Sequence, residues 1–285
     1  MGGHITHKGD KSMPLFSLVS ICFANITNRS IAHYPVTYGV PFGKGVLKRI
    51  DKLAIQLPNG DLVPVQSLVL EKHSDGSVRW LLLDFDFPVH ANERHEIKLV
   101  DGAKVPFGER ININESVDGI TVTTEHLCAR ISKKKFSLFE SYCVNRKELA
   151  VAGSDIVVED INQKQYFATK SLSYETSVVV KGPQRVVVES KFQPVDQDGK
   201  ELFSFRIRYT FRCHEPGVEI AIKFTNDEIP ENGIEIRRIS IFLPVPYDKE
   251  NKQYVRQCCS GLNWLPRLVT ITDSLEIVAV GALNE

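Results

Sequence analysis

The chain has 285 residues, 42% of them hydrophobic and 25% charged, with 35 basic side chains against 35 acidic ones. This composition excludes a disordered chain, and the length is enough for two domains with real cores. A net charge of zero leaves no basic footprint for nucleic acid. The six cysteines (Cys22, Cys128, Cys143, Cys213, Cys258 and Cys259) form no C-x-x-C pair, so zinc and thioredoxin-type sites have no support.

In chain order, the polar stretch from Met1 to Met13 is expected to be a flexible terminus. The apolar run from Leu15 to Ile26 is broken by Ser17, Ser20 and Asn25 and is too short to span a bilayer. It lacks a clean signal-cleavage site, so it predicts a buried first strand and leaves the compartment, cytoplasmic or secreted, open. Pro35 to Gly45, with Gly39, Pro41, Gly43 and Gly45, reads as a connection into a strand from Val46 to Leu57. Pro58-Asn59-Gly60 then predicts a type I′ hairpin turn, with a return strand from Val63 to Glu71. His73-Ser74-Asp75-Gly76 is a second turn, followed by a strand from Ser77 to Phe87. There Leu81, Leu83 and Phe85 alternate with Leu82, Asp84 and Asp86. His95, Ile97 and Leu99 close this unit. The polar text from Asp101 to Arg110 predicts a domain boundary, giving a β-barrel-like domain at 14–105 and an antiparallel β-sandwich at 106–285.

Within the second domain, Lys133-Lys134-Lys135 reads as a solvated strand edge. Gln184 to Gln193, the turn at Val195–Gly199, and the alternating Phe203, Phe205, Ile207, Tyr209 and Phe211 predict adjacent antiparallel strands. Glu215-Pro216-Gly217 turns this strand into Val218, Ile220, Ile222 and Phe224. The Asp196-Gln197-Asp198-Gly199 segment has the start of a calcium loop without its later ligands, and is read as a turn. A further strand changes parity between Ile236 and Ile239, which predicts a β-bulge at Arg237-Arg238 that restores one apolar face. The class is all-β.

Catalytic spacing is weak. Gly39, Gly43 and Gly45 lack the Lys-Ser/Thr of a phosphate loop, and Ser77 lacks the glycine of a nucleophile elbow. Asp84 and Asp86 share a face that suits calcium, but a solvated strand face is the better explanation of them and no cofactor is expected. Arg79 and Trp80 pack over a sheet or offer a sugar a cation and a stacking face. Arg237 and Arg238 have the geometry to grip a carboxylate bidentately, or they pair with Glu235. His214 and Tyr247 lie on predicted turns and are the remaining acid–base candidates.

Two motifs carry a family resemblance. Gly39-Val40-Pro41-Phe42-Gly43-Lys44-Gly45 followed by Asp75-Gly76-Ser77-Val78-Arg79-Trp80 resembles the N-terminal domain of the rhamnogalacturonan exolyase-like and YetA-like proteins. An earlier tryptophan of the second motif is replaced here by Lys72 and His73. Lys181-Gly182-Pro183-Gln184 and the Phe203 to Asn226 hairpin extend the resemblance to a central β-sandwich. The resemblance implies a RIFT-type barrel, a sandwich and then an α/α-toroid. The chain ends at Glu285 without a helical array, so the toroid is expected to be a missing partner and the sandwich's completeness stays open. The implied function is the non-catalytic, β-rich front of a polysaccharide lyase that contacts pectic polysaccharide. Two alternatives are a stand-alone carbohydrate-binding or adhesion module, and a small lyase with its site in the sandwich cleft around Arg237 and Arg238. Neither a membrane nor a nucleic-acid partner is expected.

Overall fold

The computed structural model describes residues 16–225 and 235–244, together with the backbone of three later strands at 253–257, 267–271 and 274–279. The N-terminal segment 1–13, Tyr247, Cys258 and Cys259 lie outside the described residues. The chain is all-β and divides into two compact units between Arg110 and Ile111. Among the described residues no helix is long and apolar enough to cross a membrane.

Among its described residues the first unit has seven strands: β1 (Phe16–Ala24), β2 (Ile31–Pro41), β3 (Leu53–Gln56), β4 (Leu62–Pro64), β5 (Gln66–Lys72), β6 (Val78–Val89) and β7 (Arg94–Asp101). They form two sheets of order β1-β7-β3-β4 and β2-β6-β5. The inward set of β6, Leu81, Leu83, Phe85 and Phe87, meets Ile55, Ile97 and Leu99 in one core. Each such side chain stabilises the fold by about 1.5–3 kcal/mol through burial.

Three sequence expectations change here. β1 is an edge strand with only Ile21 buried, because β7 covers one side of it alone. Pro35 to Pro41 is strand rather than connection, and the expected strand at 46–57 shrinks to Leu53–Gln56. β2 tolerates its prolines because it is an edge and needs no donor on its open side. Pro88, within β6, faces an irregularity in β2 between Ile31 and Tyr34, where no ladder bond is required of it. The return strand after residue 61 is split in two. β4 pairs with β3 while β5 pairs with β6, so the chain turns a corner between sheets at Pro64-Val65.

The second unit opens with a five-stranded sheet, β8 (Asn112–Glu115), β9 (Gly119–Thr123), β10 (Leu127–Ser132), β11 (Ser141–Val144) and β12 (Lys147–Val151), in consecutive antiparallel order. Next come β13 (Asp155–Asp160), β14 (Gln165–Phe167), β15 (Glu175–Val180), β16 (Arg185–Phe192), β17 (Ser204–Arg212), β18 (Val218–Thr225) and β19 (Ile236–Pro244). The last strands are β20 (Gln253–Gln257), β21 (Arg267–Ile271) and β22 (Ser274–Ala279). They form the sheets β15-β16-β17-β18, β14-β13-β19-β22 and β20-β21. Phe205, Ile207, Tyr209 and Phe211 are buried with Ile120, Ile131, Phe136 and Phe192, while Arg206 and Arg208 face out, as the alternation predicts. Phe211 is paired with Val218 and Phe205 with Phe192, so both predicted neighbours of β17 are present.

The predicted bulge is also present. Glu159 pairs with Arg238 and Asp160 with Ile236, which leaves Arg237 as the extra residue. The extra residue resets parity, and Ile236, Ile239, Ile241 and Leu243 all pack on one core.

Among the described residues one loop form recurs four times. In 57–61, 73–77, 160–164 and 196–200 the first residue's N–H donates to the fifth residue's carbonyl. The fourth residue, Gly60, Gly76, Gln163 or Gly199, has positive φ. This is a type I turn closed by a left-handed residue. It replaces the type I′ turn expected at Asn59-Gly60, because Pro58 fixes a negative φ at the first corner. A two-residue loop with both central angles positive occurs instead at Asn145 (φ 49) and Arg146 (φ 66), between β11 and β12.

Candidate functional site

The two sequence motifs of the first unit meet as a clasp. Asp75 Oδ1 accepts from the Ser77 N–H and Oγ–H, and Ser77 Oγ in turn accepts from the Gly45 N–H at 2.9 Å. His73 Nε2 lies 2.9 Å from the Phe42 carbonyl. Phe42 N–H donates to Arg79, and Val78 N–H to Leu47. Ser77 is fully buried, and Gly45 has φ +80, which a side chain would strain. The hydrogen bonds from Ser77, with the backbone donors as lesser causes, hold the Asp75 carboxyl below the usual range. These residue types therefore tie a loop to a hairpin.

Just past the clasp, Arg79 and Trp80 emerge. Arg79 Nη1 bonds Glu71 Oε1 at 2.6 Å, with both groups about half exposed. Trp80 stands on the outer face of β6, in register with Pro41 on one side and Glu71 on the other. The next outward row is Gly39, Leu82 and Leu68, and Leu70 is the extra residue of a β5 bulge. Trp80, Leu68 and Leu70 are 40%, 40% and 56% exposed. A Cβ on Gly39 would meet nothing within 4 Å, so the floor beside Leu82 is open. The result is an exposed apolar ledge with an indole at one end and the Arg79–Glu71 pair beside it.

The two carboxylates further along this face are not a solvated pair. Asp84 is 1% exposed and accepts from Thr37 Oγ1 at 2.6 Å. Asp86 lies 3.4 Å from His33 Nδ1. The Thr37 and His33 contacts occupy this face, in place of the solvated strand face expected.

In the second unit, Arg237 Nη1 and Arg238 Nη2 reach the two oxygens of Glu159, at 2.9 and 3.4 Å. Their partner is this largely buried carboxylate across the ladder, not the expected Glu235. His214 lies in the turn between β17 and β18, and Tyr247 lies outside the described residues. The Asp196–Gly199 segment is a turn: Asp196 Oδ1 accepts from Asp198 and Lys200, and its other oxygen pairs with Lys164. Lys133 and Lys134 pair with Glu115 and Asp118 at the surface.

Sequence reading missed two features. Glu189, 5% exposed, gathers Arg208, Lys191 and Arg206 on the outer face of the β16–β17 sheet. Burial by itself would push this carboxyl up, but the Arg208 hydrogen bond and the charges of Arg206, Arg208 and Lys191 outweigh it and hold it low. The alternation of Arg206 and Arg208 is the signal for this cluster. The second feature is a groove of about 400 Å³ lined by residues including His126, Cys128, Cys143 and Arg146. Only the hairpin register brings its two cysteines together, so no local pattern announces it.

Comparison with known proteins follows the same division. The PcRGLX-like N-terminal RIFT barrel domain matches residues 22–99, and the PcRGLX-like central β-sandwich domain matches residues 111–260. The chain belongs to this rhamnogalacturonan lyase-like family. It is 28% identical over 186 residues to the uncharacterized protein YetA of Bacillus subtilis (strain 168), a match covering 62% of the chain and 21% of that protein.

Proposed function

We propose that these two β domains form the non-catalytic, polysaccharide-contacting part of a rhamnogalacturonan lyase-like enzyme, and that they support an α/α-toroid which carries out the eliminative chemistry. The observation that carries this reading is the ledge around Trp80. An exposed indole beside apolar side chains suits the C–H face of a pyranose ring, and the neighbouring Arg79 suits a uronate carboxylate. Removing the proton α to a uronate carboxylate needs a base, an acid and donors converging on one point. Arg237 and Arg238 instead converge on Glu159, which favours the scaffold over a small lyase in the sandwich cleft.

The test is affinity electrophoresis of the chain through gels containing rhamnogalacturonan. Retardation of the wild type, lost in Trp80→Ala, is expected. Equal mobility of the two proteins, with or without the polymer, would remove the ledge from the account. A parallel absorbance assay near the unsaturated-uronate band separates the two functional readings. Product formation by the chain alone, abolished by Arg237→Ala, would restore the small lyase.

A further inference from the structure

Cys128 on β10 and Cys143 on β11 are direct register partners in the antiparallel ladder. Their side chains therefore project from the same face of the sheet. Asn145 N–H donates to the His126 carbonyl two positions along, which places Cys128 and Cys143 at a hydrogen-bonded site of the ladder. Cα atoms at such a site are about 5.5 Å apart, inside the usual span of a disulfide. Both thiols are free and partly exposed, and both line the same groove beside His126 and Arg146. On the neighbouring strands the row continues with Thr123, whose Oγ1 lies 3.7 Å from Cys128 Sγ, and Glu148, which is paired with Cys143.

We propose that Cys128 and Cys143 are a redox-active dithiol that closes into a cross-strand disulfide at the wall of this groove. The thiolate of one cysteine attacks a disulfide such as oxidised glutathione and releases one reduced thiol. The second cysteine then displaces the other, so one protein S–S bond forms and one glutathione S–S bond is reduced to two thiols. The ladder holds the pair in register, and closure draws the two Cβ atoms from the roughly 5.5 Å of a hydrogen-bonded site to the roughly 4 Å of a disulfide. Closure pins β10 to β11 and changes the wall facing His126 and Arg146. The cross-link couples the shape of the groove to the surrounding thiol–disulfide balance. This inference is independent of the sugar-contact reading, since it concerns a different unit and needs no polysaccharide.

The test uses the full chain, incubated with oxidised glutathione, blocked at remaining thiols and digested with trypsin. The expected product is the peptide 111–130 joined to the peptide 136–146, a species that disappears on treatment with dithiothreitol. Cys128→Ser and Cys143→Ser should each abolish that linked species, while Cys22→Ser should retain it. The oxidised wild type should also melt several degrees higher than the reduced protein, a shift absent from both variants. Recovery of the two peptides only as separate species, from protein that remains folded, would overturn the proposal.

Discussion

The Asp75–Trp80 hairpin and the Arg237–Arg238 bulge both place polar or aromatic side chains at an irregular point of a strand, but they use them in opposite ways. At the hairpin, the buried Ser77 hydroxyl is satisfied by Asp75 and the Gly45 N–H, so Trp80 faces outward and Arg79 pairs at the surface with Glu71. At the bulge, the buried group is an acid, and Glu159 draws both guanidinium groups back onto the sheet. A buried carboxylate without cations costs several kcal/mol, so the arginines serve it first. The position of the buried polar group, more than the residue types at the surface, decides which side chains remain available to a ligand.

Removing the acid at the bulge should have the largest effect on stability. Glu159→Ala leaves two adjacent cations on β19 without their partner across the ladder and is expected to lower unfolding free energy by about 2 kcal/mol. That is below the cost of breaking a fully buried pair, because both guanidiniums stay half wet. Urea denaturation followed by circular dichroism measures it, and an unchanged midpoint would mean the arginines are not held by Glu159. In the barrel, Ser77→Ala removes the hydroxyl that links Asp75 to the Gly45 N–H and is expected to cost about 1 kcal/mol, read in the same way.

The charged centre on the sandwich face adds a pH dependence. Glu189 is held below its usual value, so its contribution is fully present above the unfolded glutamate value of 4.5 and is lost as pH falls through the folded value. Asp155 acts in the opposite sense. Burial pushes it up, despite hydrogen bonds from Thr169 and Ile156, so its contribution is greatest at low pH and is lost as pH rises through the folded value. Glu189→Gln should therefore flatten the acid limb of the stability curve below about pH 4.5. Asp155→Asn should steepen the net loss of stability on acidification. Smaller still, Gln163→Gly relieves a left-handed side chain and should stabilise the protein by about 0.5–1 kcal/mol.

The sequence shows the two motifs, the β17 alternation and the parity break at Arg237 because each is a local pattern with a fixed physical period. The corner at Pro64-Val65 was not legible, since a continuous apolar run does not say which sheet each half joins. Neither was the sheet from Asn112 to Val151, whose strands of four to six residues are too short to establish a period. The pairing of Arg237 with Glu159 spans 78 residues, and such partners are set by the order of strands in the sheet. Trp80 was legible as a candidate because a turn precedes it. Its exposure was not, since that depends on Gly39 and Leu68 arriving from two other strands.

The contrast between hairpin and bulge can be read in a single titration of the ¹⁵N-labelled chain with rhamnogalacturonan oligosaccharides, following the indole N–H of Trp80 and the guanidinium N–H signals of Arg237 and Arg238. Assignments come from Trp80→Phe and the corresponding lysine variants. The account predicts a saturable shift of the Trp80 signal while both arginine signals stay in place. Movement of the arginine signals with a stationary Trp80 would contradict it.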